Sequence, residues 1–333
     1  MIMELKKRII VFDYLKGIAI FLVVWCHCIQ YITGNTFNNT FYSIVYSFHM
    51  PLFIIISGYL FSKKIDNAIF PLIIKQFKRL IIPNLVWGGT ALIISMIITN
   101  TIPDFIDIIK LPTFCWFLSS LFVCSVIYAI IYRIGIRNYV VATILLSLAS
   151  LLIPGNEFVK FFIPFFGIGL ILERIDIVSI RLKWNVIITL GCIIFIAYLF
   201  FWNRDFYIYC TQNPSLVDLD ATKWVAYFSR ILFGSLISIW LILLFEKIGK
   251  IKYDNLLNKL SQNSLGIYVI HYTLFSIFRE YITLKLHYNG WIIVVAMLIV
   301  SSILVLAINI VIHYLRVKQV TSMLFLGEPR RIH

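Results

Sequence analysis

Residues 12–27 read FDYLKGIAIFLVVWCH, and this stretch decides the fold. It belongs to an apolar run, 11–32, that is long enough to cross a bilayer as a helix. Inside that run stand three ionisable residues, Asp13, Lys16 and His27. Eleven residues separate Lys16 from His27, a rotation of about 1100° that returns to within roughly 20° of the same helix face. Asp13 lies about 60° from Lys16, and Gln30 falls near the same stripe. Ionisable groups at membrane depth face the protein interior. The helix therefore carries a polar interior stripe, with its cation and its imidazole about 16 Å apart along the axis.

The whole chain agrees with this local reading. Of its 333 residues 61% are hydrophobic and 13% are charged, with a mean hydropathy of +0.94. Soluble domains run at about 45–50% apolar and about 25% charged. A water-soluble globule, a disordered chain, a disulfide scaffold and a coiled coil are thereby excluded. The expected fold is all-α, a polytopic transmembrane bundle of about ten helices. Spans are read at 11–32, 41–62, 80–98, 113–132, 138–153, 158–175, 184–202, 223–245, 260–278 and 291–315. They form one membrane-embedded domain over 1–333, with no appended soluble domain and no cleavable signal peptide.

The net charge of +14 would suggest nucleic acid in a soluble protein. Divided among these spans it is topological. With the N-terminus inside, 22 of the 29 Lys and Arg residues fall on the cytoplasmic side or at the inner start of the first helix. Six (Lys110, Lys160, Arg204, Lys223, Arg279, Lys285) fall outside, and Arg230 lies within a span. Retention of basic loops in the cytoplasm then gives an N-in, C-in topology, with no nucleic-acid partner. Trp116, Trp202, Trp224 and Trp291 fall at outer ends, where indoles favour the interface.

Six cysteines give no framework. Cys26 and Cys28 flank His27, but helix neighbours diverge by about 100°, so the three cannot converge on a metal. No helix offers two histidines at i,i+4, and no metal is expected.

Other polar residues gather at one depth. His49, Arg230 and His271, like His27, fall in the outer half of the bundle, from where they could line one cavity. An Arg at that depth calls for an anion, carbonyl oxygens or water. On the cytoplasmic side Lys75, Lys78 and Arg79 precede the third span. Such a cluster serves topology, and it also suits a polyphosphate ligand.

At this point the residues resemble a family, the acyltransferase-3 membrane O-acyltransferases. The opening 12–27 resembles its first helix, a basic residue, ten residues and a histidine, here Lys16 and His27. SFHMPLFIIISGYLF (47–61) is similar to its next segment, and Lys75-x3-Arg79-Leu80 to its R-x3-R-I/L element. CWFLSSLFVCSVIY (115–128), PFFGIGLIL (164–172) and SLGIYVIHYTLF (264–275) follow in order, so the resemblance covers nearly the whole chain. It departs from the pattern in having Lys at 16 and 75, where a planar Arg fork is usual. It also lacks a Glu in KFFIPFFGIGL (160–170), where many O-antigen acetylases have one, and Glu173 is not a secure substitute. The extracellular hydrolase-like domain of some relatives is missing too. The pattern is closer to the short, stand-alone sugar acetylases, including the fucose 4-O-acetylases.

The resemblance implies transfer of an acyl group, most commonly acetyl from acetyl-CoA, to a carbohydrate hydroxyl on an envelope or surface glycan, lipid-linked or free. The expected setting is a bacterial-type inner membrane, with membrane lipids as further partners. His27 corresponds to the catalytic histidine, and Lys75 and Arg79 to the cytoplasmic basic pair that engages CoA; Lys16, in place of the usual Arg, is a further candidate for the CoA phosphates. His27 as general base and His27 as acyl-accepting nucleophile are both open mechanisms. His49, Arg230 and His271 are candidates for the oxyanion or the acceptor, and Asp13 for orienting Lys16. The reading from another class is a glycan or lipid-linked sugar transporter or polymerase, which would have similar spans and buried charges but no use for the basic-x10-His pair.

Overall fold

A computed structural model describes residues 10–33, 39–153, 157–203, 220–248, 255–282 and 291–328. Within them the chain is helical, with no strand. Arg204, Cys210, Lys285 and nearly all of the 203–222 loop lie outside the described residues, as does the Arg279 side chain.

The order is α1 (Ile10–Thr33), α2 (Thr40–Ser62), α3 (Ile69–Gln76), a π-helical turn (Phe77–Ile81), α4 (Ile82–Thr99), α5 (Phe105–Lys110), α6 (Trp116–Arg133), α7 (Tyr139–Leu152), α8 (Glu157–Arg174), α9 (Trp184–Phe201), α10 (Ala221–Ile248), α11 (Asn255–Ile282), α12 (Trp291–Arg316) and α13 (Gln319–Leu326). A helix occupies each of the ten stretches read from the sequence. Seven are long and apolar enough to cross a membrane, with α3, the π turn and α4 counting as one span, Ile69–Thr99. The chain is thus a multi-pass integral membrane protein. The other three have physical reasons to fall short. α7 has 14 residues. α8 carries Glu157, Lys160, Glu173 and Arg174 within 18 residues. α11 is amphipathic and rich in Asn, Gln and Ser toward its start.

The third span begins at Ile69, earlier than its hydropathy suggests. Phe70, Ile74 and Phe77 recur at i, i+4 and i+7 and are exposed, so this first part is an amphipathic helix whose apolar stripe faces outward. Lys75, Lys78 and Arg79 occupy its other positions and mask it from a hydropathy count.

In lipid no hydrophobic force separates helix from surroundings, so packing rests on close backbone approach and van der Waals contact. The α2–α8 and α1–α11 pairs are the most extensive. Gly58 of α2 lies on the backbone of Phe166, and Gly169 of α8 lies on the backbone of Ile55; a Cβ at either would overlap a carbonyl oxygen. α2 and α8 meet at this reciprocal glycine contact. The lipid-facing sides are apolar: on α12, Ile292, Val295, Ile299, Ile303, Leu306 and Ile310 form an exposed stripe, while Val294, Met297, Ser301, Val305, Ile308 and Ile312 are buried.

Two polar knots hold the elements that flank the site. Asn84 donates to the Pro112 carbonyl (2.6 Å) and to Ser119 Oγ (2.8 Å), and accepts from the Cys115 amide (2.7 Å). It pins the start of α6 to α4. At the other end Arg316 donates to both Glu328 carboxylate oxygens (2.8 and 2.6 Å), to the Gln262 carbonyl (3.2 Å) and to Asn263 Oδ1. Trp87 Nε1 donates to the Phe325 carbonyl at 2.8 Å. α13 then ends at Gly327, whose positive φ of 61° closes the helix directly against the backbone of Arg79.

Candidate active site

Every third or fourth residue of α1 from Lys16 onward faces a cavity: Lys16, Ile20, Val23, His27 and Gln30. Two cavities adjoin along this stripe. The first has a volume of about 110 Å3 and is lined by Lys16, Lys64 and Arg79 at its charged end, and by Ile20, Phe53, Ser57, Leu121 and Leu265 among others. The second has a volume of about 250 Å3 and is lined by His27, Gln30, His49 and Arg230, with an aromatic wall that includes Trp116, Trp202 and Tyr272. Val23, Met50 and Tyr268 line both, and so mark the junction.

The charged end is built from three helices. Lys16 pairs with Asp13 at 3.2 Å, and Asp13 Oδ1 also accepts from Ser261 Oγ at 3.0 Å. Asp13 therefore holds the Lys16 ammonium from one turn below, as an i,i+3 pair can. Arg79 sits on the π turn, a deviation that recurs at functional positions in helices. Lys64 follows the end of α2. Enclosure at the cavity mouth, and then the charges of Arg79, Lys75 and Lys16, hold its ammonium below the usual lysine range. Four cations thus share one electrostatic neighbourhood. Lys75 contributes charge but is exposed on the rim and does not line the cavity.

The opposite end is organised by histidines. His49 is buried, and its Nδ1 lies 2.8 Å from the Val45 carbonyl. His271 is fully buried, with Nδ1 2.7 Å from the Ile267 carbonyl. A carbonyl only accepts, so Nδ1 carries the proton in both rings and Nε2 is left as an acceptor. His27 packs against His271 with ring centroids 5.1 Å apart, and edge-on to Tyr31 at 5.4 Å. His271 does not line the second cavity; it stands behind His27. Arg230 is buried, with Nε donating to the Ala226 carbonyl (3.2 Å) and the guanidinium 5.8 Å from the Phe161 ring centroid. Gln30 Oε1 accepts from Tyr42 (3.2 Å) and Tyr46 (3.3 Å), which fixes the Gln30 end of the stripe.

Of the residues singled out from sequence, His27, His49 and Arg230 share one cavity, and Lys16 and Arg79 share the other. Cys26 and Cys28 are buried in the core, and among the described residues no group of three or more His, Cys, Asp or Glu is placed to hold a metal ion. Two contributors escaped the sequence reading. Lys64 was hidden among basic residues that topology already explains. Tyr268, three residues before His271, carried no signal in an aromatic-rich helix.

A channel with cations at one end and histidines at the other fits a polyanionic donor approached from one side and an acceptor from the other. Two relatives, both named nodulation protein NolL, match the chain. The one from Mesorhizobium japonicum is 28% identical over 221 residues, covering 61% of this chain and 59% of the relative, so the chain spans about three-fifths of that protein's length. The one from Sinorhizobium fredii is 25% identical over 294 residues, covering 81% of this chain and 79% of the relative. No solved structure matches. The acyltransferase-3 family model, described as an acyltransferase domain, matches residues 9–310, and this chain belongs to that family.

Proposed function

We propose that the protein moves an acyl group, most commonly acetyl, from cytoplasmic acyl-CoA to a hydroxyl of an envelope or surface carbohydrate. The supporting observation is that one face of α1 walls both cavities, with Lys16 at the charged end and His27 beyond the junction. In this reading the CoA phosphates rest among Lys16, Lys64, Lys75 and Arg79, which donate charge-assisted hydrogen bonds. Asp13 orients Lys16. The pantetheine arm lies along the first cavity, whose apolar lining suits an uncharged chain, and the thioester reaches the junction at Val23, Met50 and Tyr268. Residues 1–333 act as one membrane-embedded domain, in a bacterial-type inner membrane, with the charged end facing the cytoplasm.

The acceptor occupies the second cavity. His27 Nε2 takes the proton of its hydroxyl while the oxygen attacks the thioester carbonyl. The C–S bond then breaks, and the CoA thiolate leaves and recovers the proton from the imidazolium. Arg230 and His49 line the same cavity and are the groups available to hold the sugar or to stabilise the oxyanion. Mixed aromatic and polar lining is the kind of surface that takes a sugar ring.

The test is reconstitution in proteoliposomes with acetyl-CoA and a panel of 4-nitrophenyl glycopyranosides, following CoA thiol release and the acetyl ester by mass spectrometry. Ester formation that falls by about 10²-fold or more in His27→Ala is expected. Full activity in that variant overturns the reading.

A further inference from the structure

We infer that His271 is a positioning residue for His27, accepting a hydrogen bond from His27 Nδ1–H and so directing the basic Nε2 of His27 into the acceptor cavity. The inference rests on the reading of His27 as the base.

Three observations converge on it. First, His27 Nδ1 and His271 Nε2 are both buried and have no hydrogen-bond partner among the described residues. Buried polar atoms are rarely left so, and such exceptions concentrate where chemistry needs them. Second, they lie on neighbouring rings. Two imidazoles joined by an N–H···N bond have centroids about 5 Å apart, the bond length plus two ring radii, and these centroids are 5.1 Å apart. The bond is not made in this structure; χ2 of His27 is a soft torsion about which its ring can turn toward His271. Third, the polarity is fixed from behind. His271 Nδ1 donates to the Ile267 carbonyl, so in the neutral ring Nε2 has only a lone pair to offer. The remaining assignment follows: His27 carries its proton on Nδ1 and presents a lone pair at Nε2.

The alternatives nearby do not supply this partner. His49 has its ring against Tyr46 at 4.6 Å and no ring contact with His27. Tyr31 and Phe275 meet His27 edge-on, and Tyr272 is tilted at 6.4 Å. When His27 takes the acceptor proton, its Nδ1–H bond to His271 strengthens, because the donor is then cationic. His271 does not gain or lose a proton.

The experiment compares His271→Phe, His271→Gln and His27→Ala in proteoliposomes with acetyl-CoA and the 4-nitrophenyl glycopyranoside panel. Phe keeps a ring without an acceptor, whereas the Gln carbonyl oxygen reaches the place of Nε2. The expected result is a kcat lowered about 10–100-fold in His271→Phe, with KM for acetyl-CoA unchanged, and recovery of most of it in His271→Gln. Full activity in His271→Phe while His27→Ala is inactive overturns the inference and leaves the base assignment standing. Activity in His27→Ala overturns the base assignment itself. A readout on the unaltered protein needs no variant to fold: 15N-histidine spectra must show His27 as the Nδ1–H tautomer, and an Nε2–H tautomer overturns the inference.

Discussion

Lys16 and His27 stand on one face of one helix, yet each lines a different cavity, and Val23 between them lines both. The helix rise sets them about 16 Å apart, so no small molecule bridges them. On the proposed function, an extended donor with its charge at one end and its reactive carbon at the other spans that distance.

The junction is therefore the place to interrupt the path. Val23→Trp adds a bulky ring between Met50 and Tyr268, and is expected to abolish transfer while leaving binding of CoA at the charged end within about twofold of wild type. Calorimetric titration with CoA, set beside the transfer rate, checks both halves. Transfer at the wild-type rate would show that the two cavities do not carry the reaction.

The charged end should govern donor affinity. Removing Arg79 or Lys64 as alanine is expected to raise KM for acetyl-CoA about 10–100-fold each, with kcat little changed, since a hydrogen bond to a charged group contributes roughly 1.5–3 kcal/mol. Lys16→Arg should preserve activity, because charge is kept. Added salt should raise KM in wild type more than in these variants.

The same cluster predicts a pH dependence. The ammonium of Lys64 is held below the usual lysine range by enclosure and by its cationic neighbours. As pH rises its charge is therefore lost earlier than that of an ordinary lysine, and KM for acetyl-CoA should climb on the alkaline side. Lys64→Arg, whose charge persists across that range, should flatten the climb. KM measured against pH in both proteins decides it.

Arg230 is expected to act on the acceptor rather than the donor, as it lines only the second cavity. Arg230→Lys should raise the acceptor KM or lower kcat by about tenfold or more and leave the acetyl-CoA KM unchanged. Kinetics with each substrate varied in turn separate these outcomes.

Stability should depend on the α2–α8 contact. Gly58→Leu or Gly169→Leu drives a side chain into backbone and is expected to cost about 1–3 kcal/mol or more, read as a lower thermal midpoint in detergent micelles. Gly89, which has open space around its Cβ position, is the matched control and should tolerate alanine.

Much of this was legible from local sequence. The 3.6-residue period alone set Lys16, His27 and Gln30 on one face, and apolar run lengths placed a helix at each of the ten stretches. These are properties of a single helix, fixed by its own backbone. What the tertiary structure decided is how the helices face one another. α12 is apolar over most of its surface, and only its packing tells exposed Ile303 from buried Ser301 and Val305. Lys64, Tyr268 and the placing of His271 behind His27 come from α2, α11 and α1 meeting in space. Within a bilayer, lipid and protein interior are equally apolar, so hydrophobicity does not encode that meeting; close packing at small residues such as Gly58 and Gly169 does.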